Sequence, residues 1–228
     1  MTVRALVFDV FGTLVDWRTG VAAAFRSAGA GDAGEELADD WRARLWPALA
    51  EVNAAERAWG TFDELQLATL DDLLTDRGAD LPRETRAGLV DAWHRLDPWP
   101  DVPEGLEALH RSHVTASLSN GHVALLVDLA RHGGLRFDCA LSAELVRRYK
   151  PAPEVYLLAP RLLGLDPGEV MLVAAHPADL RGARRAGLRT AFVDRPLEYG
   201  AGSPVREDPD ADVSAGALHE LAALLNGA

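Results

Sequence analysis

The sequence predicts an α/β chain in which a parallel-sheet core is interrupted, after its first strand, by a block of helices. Three observations carry that reading. Residues 3–10 form a short apolar, β-branched run that ends in Asp9-Val10-Phe11-Gly12-Thr13, the pattern of a buried strand entering a glycine turn. From about residue 17 to 95 the pattern is helical throughout, with no strand signal between the helices. Beyond Pro98, Pro100 and Pro103, strand-like and helical segments alternate, which implies parallel strands joined by right-handed crossovers.

In chain order, the expected helices of the block are 20–28, 34–55, 62–76 and 83–96, the last two with apolar residues at three- and four-residue spacing. Strand 114–118 then precedes helix 122–132. Strand 138–141 precedes a short helix and helix 154–163, and strand 170–175 precedes helix 178–186. A strand at 190–193, a weak one at 212–214 and helix 217–226 close the chain, with 200–212, rich in Gly, Pro and acids, as an exposed loop. The expected organisation is a Rossmann-like core of residues 1–15 and 98–228, with a helical cap of residues 16–97 above the carboxyl edge of its sheet.

Composition narrows the function classes. A hydrophobic share of 48% over 228 residues is enough for a buried core and argues against disorder. A formal charge of −12 and a pI near 5.0 argue against nucleic acid as a partner, since neutralising phosphates needs surplus Lys and Arg. The single Cys139 cannot form an internal disulfide and suits a reducing compartment. Met1 to Phe8 lacks the pattern of a signal peptide, and no stretch approaches 18 apolar residues, so the expectation is a cytoplasmic protein that does not engage a membrane.

Ligands of open α/β sheets bind outside the carboxyl ends of the strands. The residues that fall there are Asp9 and Thr13, then Ser119 and Asn120, then Lys150, then Asp179. Any one of them alone reads as a solvated loop residue. Polar residues arriving at one edge from four strands read as a site.

Phe8-Asp9-Val10-Phe11-Gly12-Thr13-Leu14, Leu118-Ser119-Asn120-Gly121, Tyr149-Lys150-Pro151 and the Asp179 segment resemble the four motifs of the haloacid dehalogenase superfamily. Residues 9–17 together with Trp41-Arg42 resemble its L-2-haloacid dehalogenase branch, type II. The resemblance implies a HAD-like fold, a 2-haloacid substrate, a halide product and a homodimer. It makes Asp9 the nucleophile, Thr13 its orienting partner, Arg42 and Asn120 the halide cradle, and Ser119 a contact for the substrate carboxylate. Lys150, Tyr156 and Asp179 become the charge partner, the hydrogen-bond support and the carboxylate that positions water.

The chemistry stands without the family. A carboxylate with a pKa of about 3.9 is ionised at neutral pH and needs no base to attack, but its leaving group must depart unprotonated. Halide meets that condition, and Arg42 suits the charge developing on it. By spacing alone Arg42 reads equally as a helix-surface arginine.

Phosphatases of the superfamily carry a second Asp two residues after the nucleophile, where this chain has Phe11. The segment Val173-Ala174-Ala175-His176-Pro177-Ala178-Asp179 offers one acid where magnesium needs several oxygen ligands. No metal or cofactor is therefore expected, and Phe11 is expected to line an apolar pocket. The better-known dehalogenase pattern has Ser and Asn where this chain has Ala174 and His176, and an aromatic at Ala178. Ala-Ala-His resembles a sub-branch of the family. His176 stands open between a donor to halide or water and a structural imidazole. Trp59 is placed in the pocket wall with Phe11; Trp17, Trp41, Trp46 and Phe62 are open between pocket wall and helix packing. Remaining alternatives are the same chemistry on another small acid, such as fluoroacetate or azetidine-2-carboxylate, a phosphatase, or a non-catalytic binding protein.

Overall fold

The first strand, β1 (Ala5–Phe8), has every side chain fully buried. A strand that is apolar on both faces is stable only in the middle of a covered sheet. The computed structural model, which describes residues 2–203 and 206–227, places it there. Helices α1 (Trp17–Phe25), α2 (Gly34–Asn53), α3 (Phe62–Asp76) and α4 (Arg83–Asp91) follow, then α5 (Val102–His110), β2 (Val114–Ser119), α6 (Val123–Gly133) and β3 (Cys139–Ser142). The remainder is α7 (Pro153–Tyr156), α8 (Leu158–Leu163), β4 (Val170–Ala174), α9 (Pro177–Arg185), β5 (Arg189–Val193), β6 (Val213–Ala215) and α10 (Leu218–Asn226).

The six strands are parallel, in the order β3-β2-β1-β4-β5-β6. This is the α/β, Rossmann-like architecture expected from the sequence. The chain winds one way from β1 to β2 and β3 and the other way through β4 to β6. The crevice of such a sheet opens where the winding reverses, at the carboxyl ends of β1 and its neighbours. Phe8 is in register with Ser117 on one side and Val173 on the other, so Asp9 is the first residue beyond the central strand.

Local differences from the expectation have local causes. Helix α1 begins three residues early because the Asp16 side chain caps it, accepting from the Thr19 N–H at 3.1 Å. The expected helix over 83–96 tightens into a 3-10 turn at Ala92–Arg95, and that over 154–163 is divided at Leu157. Helix α5 was not expected, since Pro103 reads as punctuation; proline in the first turn lacks only an N–H that would have no helical partner. Of the expected loop 200–212, Pro204 and Val205 lie outside the described residues; its described parts carry no helix or strand. Helix α3 is fixed by a capping box in which Thr61 and Glu64 satisfy each other's N–H groups. Among the described residues, no helix is long and apolar enough to cross a membrane.

Candidate active site

Asp9 lies just past β1, only 9% exposed, and its backbone N–H donates to Val173 O at 3.0 Å. Its two carboxylate oxygens are differently engaged. Oδ2 accepts from Thr13 Oγ1 at 2.8 Å and from His176 Nδ1 at 3.0 Å; Oδ1 accepts from Lys150 Nζ at 3.2 Å. The Thr13 hydroxyl is fixed in turn by the Ala175 N–H, 3.0 Å away. Lys150 Nζ also donates to Asp179 Oδ2 at 2.6 Å, and Tyr156 donates to Asp179 Oδ1 at 2.7 Å. A Cβ on Gly182 of α9 would lie 2.4 Å from that tyrosine oxygen, so only glycine leaves the phenol its place.

On the far side of His176, Nε2 donates to Glu198, 3.0 and 3.1 Å from its two oxygens. Glu198 is fully buried and also accepts from Trp17 Nε1 at 3.0 Å and pairs with Arg206 at 2.6 Å. Arg206, Glu198, His176, Asp9, Lys150 and Asp179 thus form a line of alternating charge. Buried charges persist when each has an opposite partner.

The pKa directions follow from this line. Burial alone would raise Asp9, but the Lys150 charge, the His176 hydrogen bond and charge and the Thr13 hydroxyl hold it below the usual carboxylate range. Asp179 moves up, because burial and the charge of Asp9 outweigh Lys150 and Tyr156. Burial opposes the imidazolium of His176, yet Asp9 and Glu198 together push it up to about 9. Burial likewise opposes Lys150, which Asp179 and Asp9 keep protonated. Asp9 is therefore ionised, and His176 is placed to donate from both nitrogens at neutral pH.

A cavity of about 560 Å³ opens over Asp9. Phe11, Ser119, Asn120, Lys150, Tyr156, His176 and Asp179 line it, and Arg42 reaches it from α2. Asn120 Oδ1 accepts from the Lys150 backbone N–H at 2.8 Å, which leaves its Nδ2 as the end facing a ligand. Ser119 Oγ accepts from Gly121 N at 3.1 Å and keeps its proton to donate. The Arg42 guanidinium is ringed by Trp46, Trp17, Phe11 and Trp93, at 4.8 to 5.7 Å from their centroids. Its Nε has no partner among the described residues, and burial lowers its pKa. It is no surface arginine.

Thr13 is buried beneath Asp9 and does not face the cavity. Trp59 is not in its wall: its ring stacks on Tyr149 at 4.7 Å, and this contact turns it away. Trp46 and Phe62 do line the cavity, whereas Trp17 and Trp41 are buried in helix packing. Sequence reasoning missed Leu49, Ala50 and Asn53, which share a face of α2 with Arg42 and Trp46 at helical spacing. Asn53 also ties α2 to the Lys150 loop through paired hydrogen bonds with the Tyr149 backbone, 2.8 and 2.9 Å. Glu198 was missed too. It carries no local signal, as an acid in a polar loop reads as solvated.

Residues 3–187 match the haloacid dehalogenase-like hydrolase family. The chain belongs to that family. The (S)-2-haloacid dehalogenase of Pseudomonas sp. strain YL is 35% identical over 202 residues, 85% of this chain and 83% of that protein. The crystal structure of an L-2-haloacid dehalogenase superposes with a TM-score of 0.94 at 43% identity, covering 99% of this chain and all of that one. The Xanthobacter autotrophicus L-2-haloacid dehalogenase, solved with chloropropionic acid covalently bound, superposes with a TM-score of 0.86 at 27% identity and 99% coverage of both chains. This hydrolase thus shares its whole architecture with enzymes that cleave carbon–halogen bonds.

Proposed function

We propose that this hydrolase converts short-chain (S)-2-haloacids to (R)-2-hydroxyacids through a covalent ester on Asp9. The observation that carries the proposal is the unequal engagement of the Asp9 oxygens. Oδ2 is held by Thr13 and His176, while Oδ1, met by Lys150 alone among the described residues, is free to attack. The match to a protein solved with chloropropionic acid covalently bound supports the same route.

In the proposed route Oδ1 attacks carbon 2 of the substrate from the side opposite the halogen. The carbon–oxygen bond forms as the carbon–halogen bond breaks, and halide departs with the bonding electrons toward Arg42 and Asn120 Nδ2. The substrate carboxylate meets the Ser119 hydroxyl, and Phe11, Trp46 and Phe62 exclude bulk water. Asp179, held by Lys150 and Tyr156, then orients water toward Cγ of the ester. Its raised pKa suits a group that must take a proton. No metal or cofactor enters any step.

Residues 16–97 serve in this proposal as a cap that brings Arg42 over a core of residues 1–15 and 98–228. The enzyme is proposed to work in the cytoplasm as a homodimer. The deciding experiment is a single turnover of (S)-2-chloropropionate in oxygen-18 water with enzyme in excess. The first product is expected unlabelled and of (R) configuration, with the label on the peptide containing Asp9. Labelled first product with an unlabelled peptide would reduce Asp9 to a base that activates water.

A further inference from the structure

The proposed route gives His176 no part beyond holding Oδ2, and it leaves unused the buried carboxylate behind it, Glu198, which does not line the cavity. Glu198 is fully buried, and burying an ionised group without function costs several kcal/mol unless partners compensate it. Its partners come from three directions: Trp17 of α1, Arg206 and His176. The backbone also yields to it. Gly12 adopts a φ of 85°, and a Cβ there would lie 2.2 Å from Glu198 Oε1 and 3.1 Å from the His176 ring. The chain thus gives up a side chain in the nucleophile's own turn to seat this pair.

We propose that Glu198 is a positioning residue that fixes His176 as a doubly donating imidazolium, so that His176 and Thr13 form the oxyanion site for hydrolysis of the Asp9 ester. The inference deepens the dehalogenase reading and rests on it. When Oδ1 carries the substrate carbon, Oδ2 is the ester carbonyl oxygen. It already has Thr13 Oγ1 at 2.8 Å and His176 Nδ1 at 3.0 Å, the two-donor geometry that stabilises a tetrahedral oxyanion.

Water adds to Cγ and passes one proton to Asp179, while the carbonyl π electrons move onto Oδ2. Collapse restores the carbonyl and breaks the bond from Cγ to Oδ1. The departing oxygen takes the proton from Asp179 and leaves as the hydroxyacid, and the second proton of water passes to solvent. Alkylation also removes the charge of Asp9, so the alternating line holds one excess positive charge while the ester exists. That excess favours the oxyanion. The charges facing the imidazole are Asp9 and Glu198; Lys150 and Asp179 stand beyond Asp9, and Arg206, Tyr199 and Arg42 around Glu198.

Rapid quench with (S)-2-chloropropionate separates halide release from hydroxyacid release. In Glu198→Gln, halide release is expected to stay near the wild-type rate, while ester hydrolysis slows roughly tenfold to a hundredfold and the alkylated enzyme accumulates. The alkaline limb of hydrolysis should move to lower pH than in the wild type, since Glu198 is one of the groups that favour the imidazolium. His176→Asn should slow the same step and abolish the limb, and the double variant should be no slower than His176→Asn. Equal slowing of both steps with an unmoved limb, or hydrolysis at the wild-type rate, would overturn the proposal. A variant that fails to fold leaves a test on the wild-type protein, the nitrogen-15 resonances of His176. Two protonated nitrogens at pH 7 support the proposal, and a neutral ring overturns it. That titration needs no substrate, so its failure is distinct from a failure to release halide from any 2-haloacid.

Discussion

Replacing Arg42 with alanine tests the proposed site most sharply, because stability and turnover should part company. Arg42 is 5% exposed, its Nε lacks a partner among the described residues, and its closest ring is Trp46 at 4.8 Å. Each of the four aromatic contacts contributes about 0.5 to 2 kcal/mol. Burial of the ion costs several kcal/mol in the other direction, so the two nearly cancel. A net change of no more than about 2 kcal/mol shifts the Tm of a chain this size by roughly 4 to 8 °C. Turnover has no such compensation. A halide gaining charge about 4 Å from the guanidinium, at an effective dielectric constant of about 20, is stabilised by about 4 kcal/mol. Its loss slows carbon–halogen cleavage about 10³-fold. Lysine at position 42 should recover only part of this, since it keeps the charge and loses the flat face that packs among the rings. Scanning calorimetry and quenched-flow halide detection measure the two quantities. Halide release indistinguishable from the wild type would refute the cradle, and a protein that cannot fold would refute the cancellation.

Asp179→Asn should still release one halide per chain and then stall as an ester, seen as a mass increase on the peptide spanning residues 5–18. Tyr156→Phe removes one donor from Asp179 and should slow ester hydrolysis about tenfold while destabilising the protein by about 1 to 3 kcal/mol, measured by stopped flow and urea unfolding. His176 titrates near 6.5 in the unfolded chain and near 9 in the folded one, so its contribution to stability is complete below pH 6.5 and lost as pH rises through 9. Tm measured across that window should decline, and His176→Asn should flatten the decline. Prolonged EDTA treatment should leave halide release unchanged; loss of activity restored by magnesium would remove the mechanism.

The strands were legible because a parallel sheet buried on both faces demands apolar runs, and the residues after those runs stand at one edge by topology. That is why Asp9, Ser119, Asn120, Lys150 and Asp179 could be assembled from sequence. Arg42 required more. Its helix was evident, but only packing shows that the side chain turns inward among four rings. Trp59 was misplaced because aromatic residues near a pocket look alike in sequence, and stacking on Tyr149 decided its direction. Glu198 was invisible, since nothing distinguishes an acid in a polar loop from one that the fold carries beneath the turn after β1. Helix α5 was lost for a simpler reason: Pro103 starts a helix as readily as it ends one.

The narrow approach of α9 to Tyr156 ties together two positions that never meet in sequence. Position 182 has no access to substrate, yet any side chain there must displace the phenol that steadies Asp179. Drift at 182 therefore has to be matched by a smaller residue at 156, and the smaller residue abandons the hydrogen bond. The pair resists neutral exploration as a unit. Attempts to enlarge the cavity by randomising its walls will find Tyr156 immovable for a reason located behind it, in a glycine that no inspection of the pocket surface reveals.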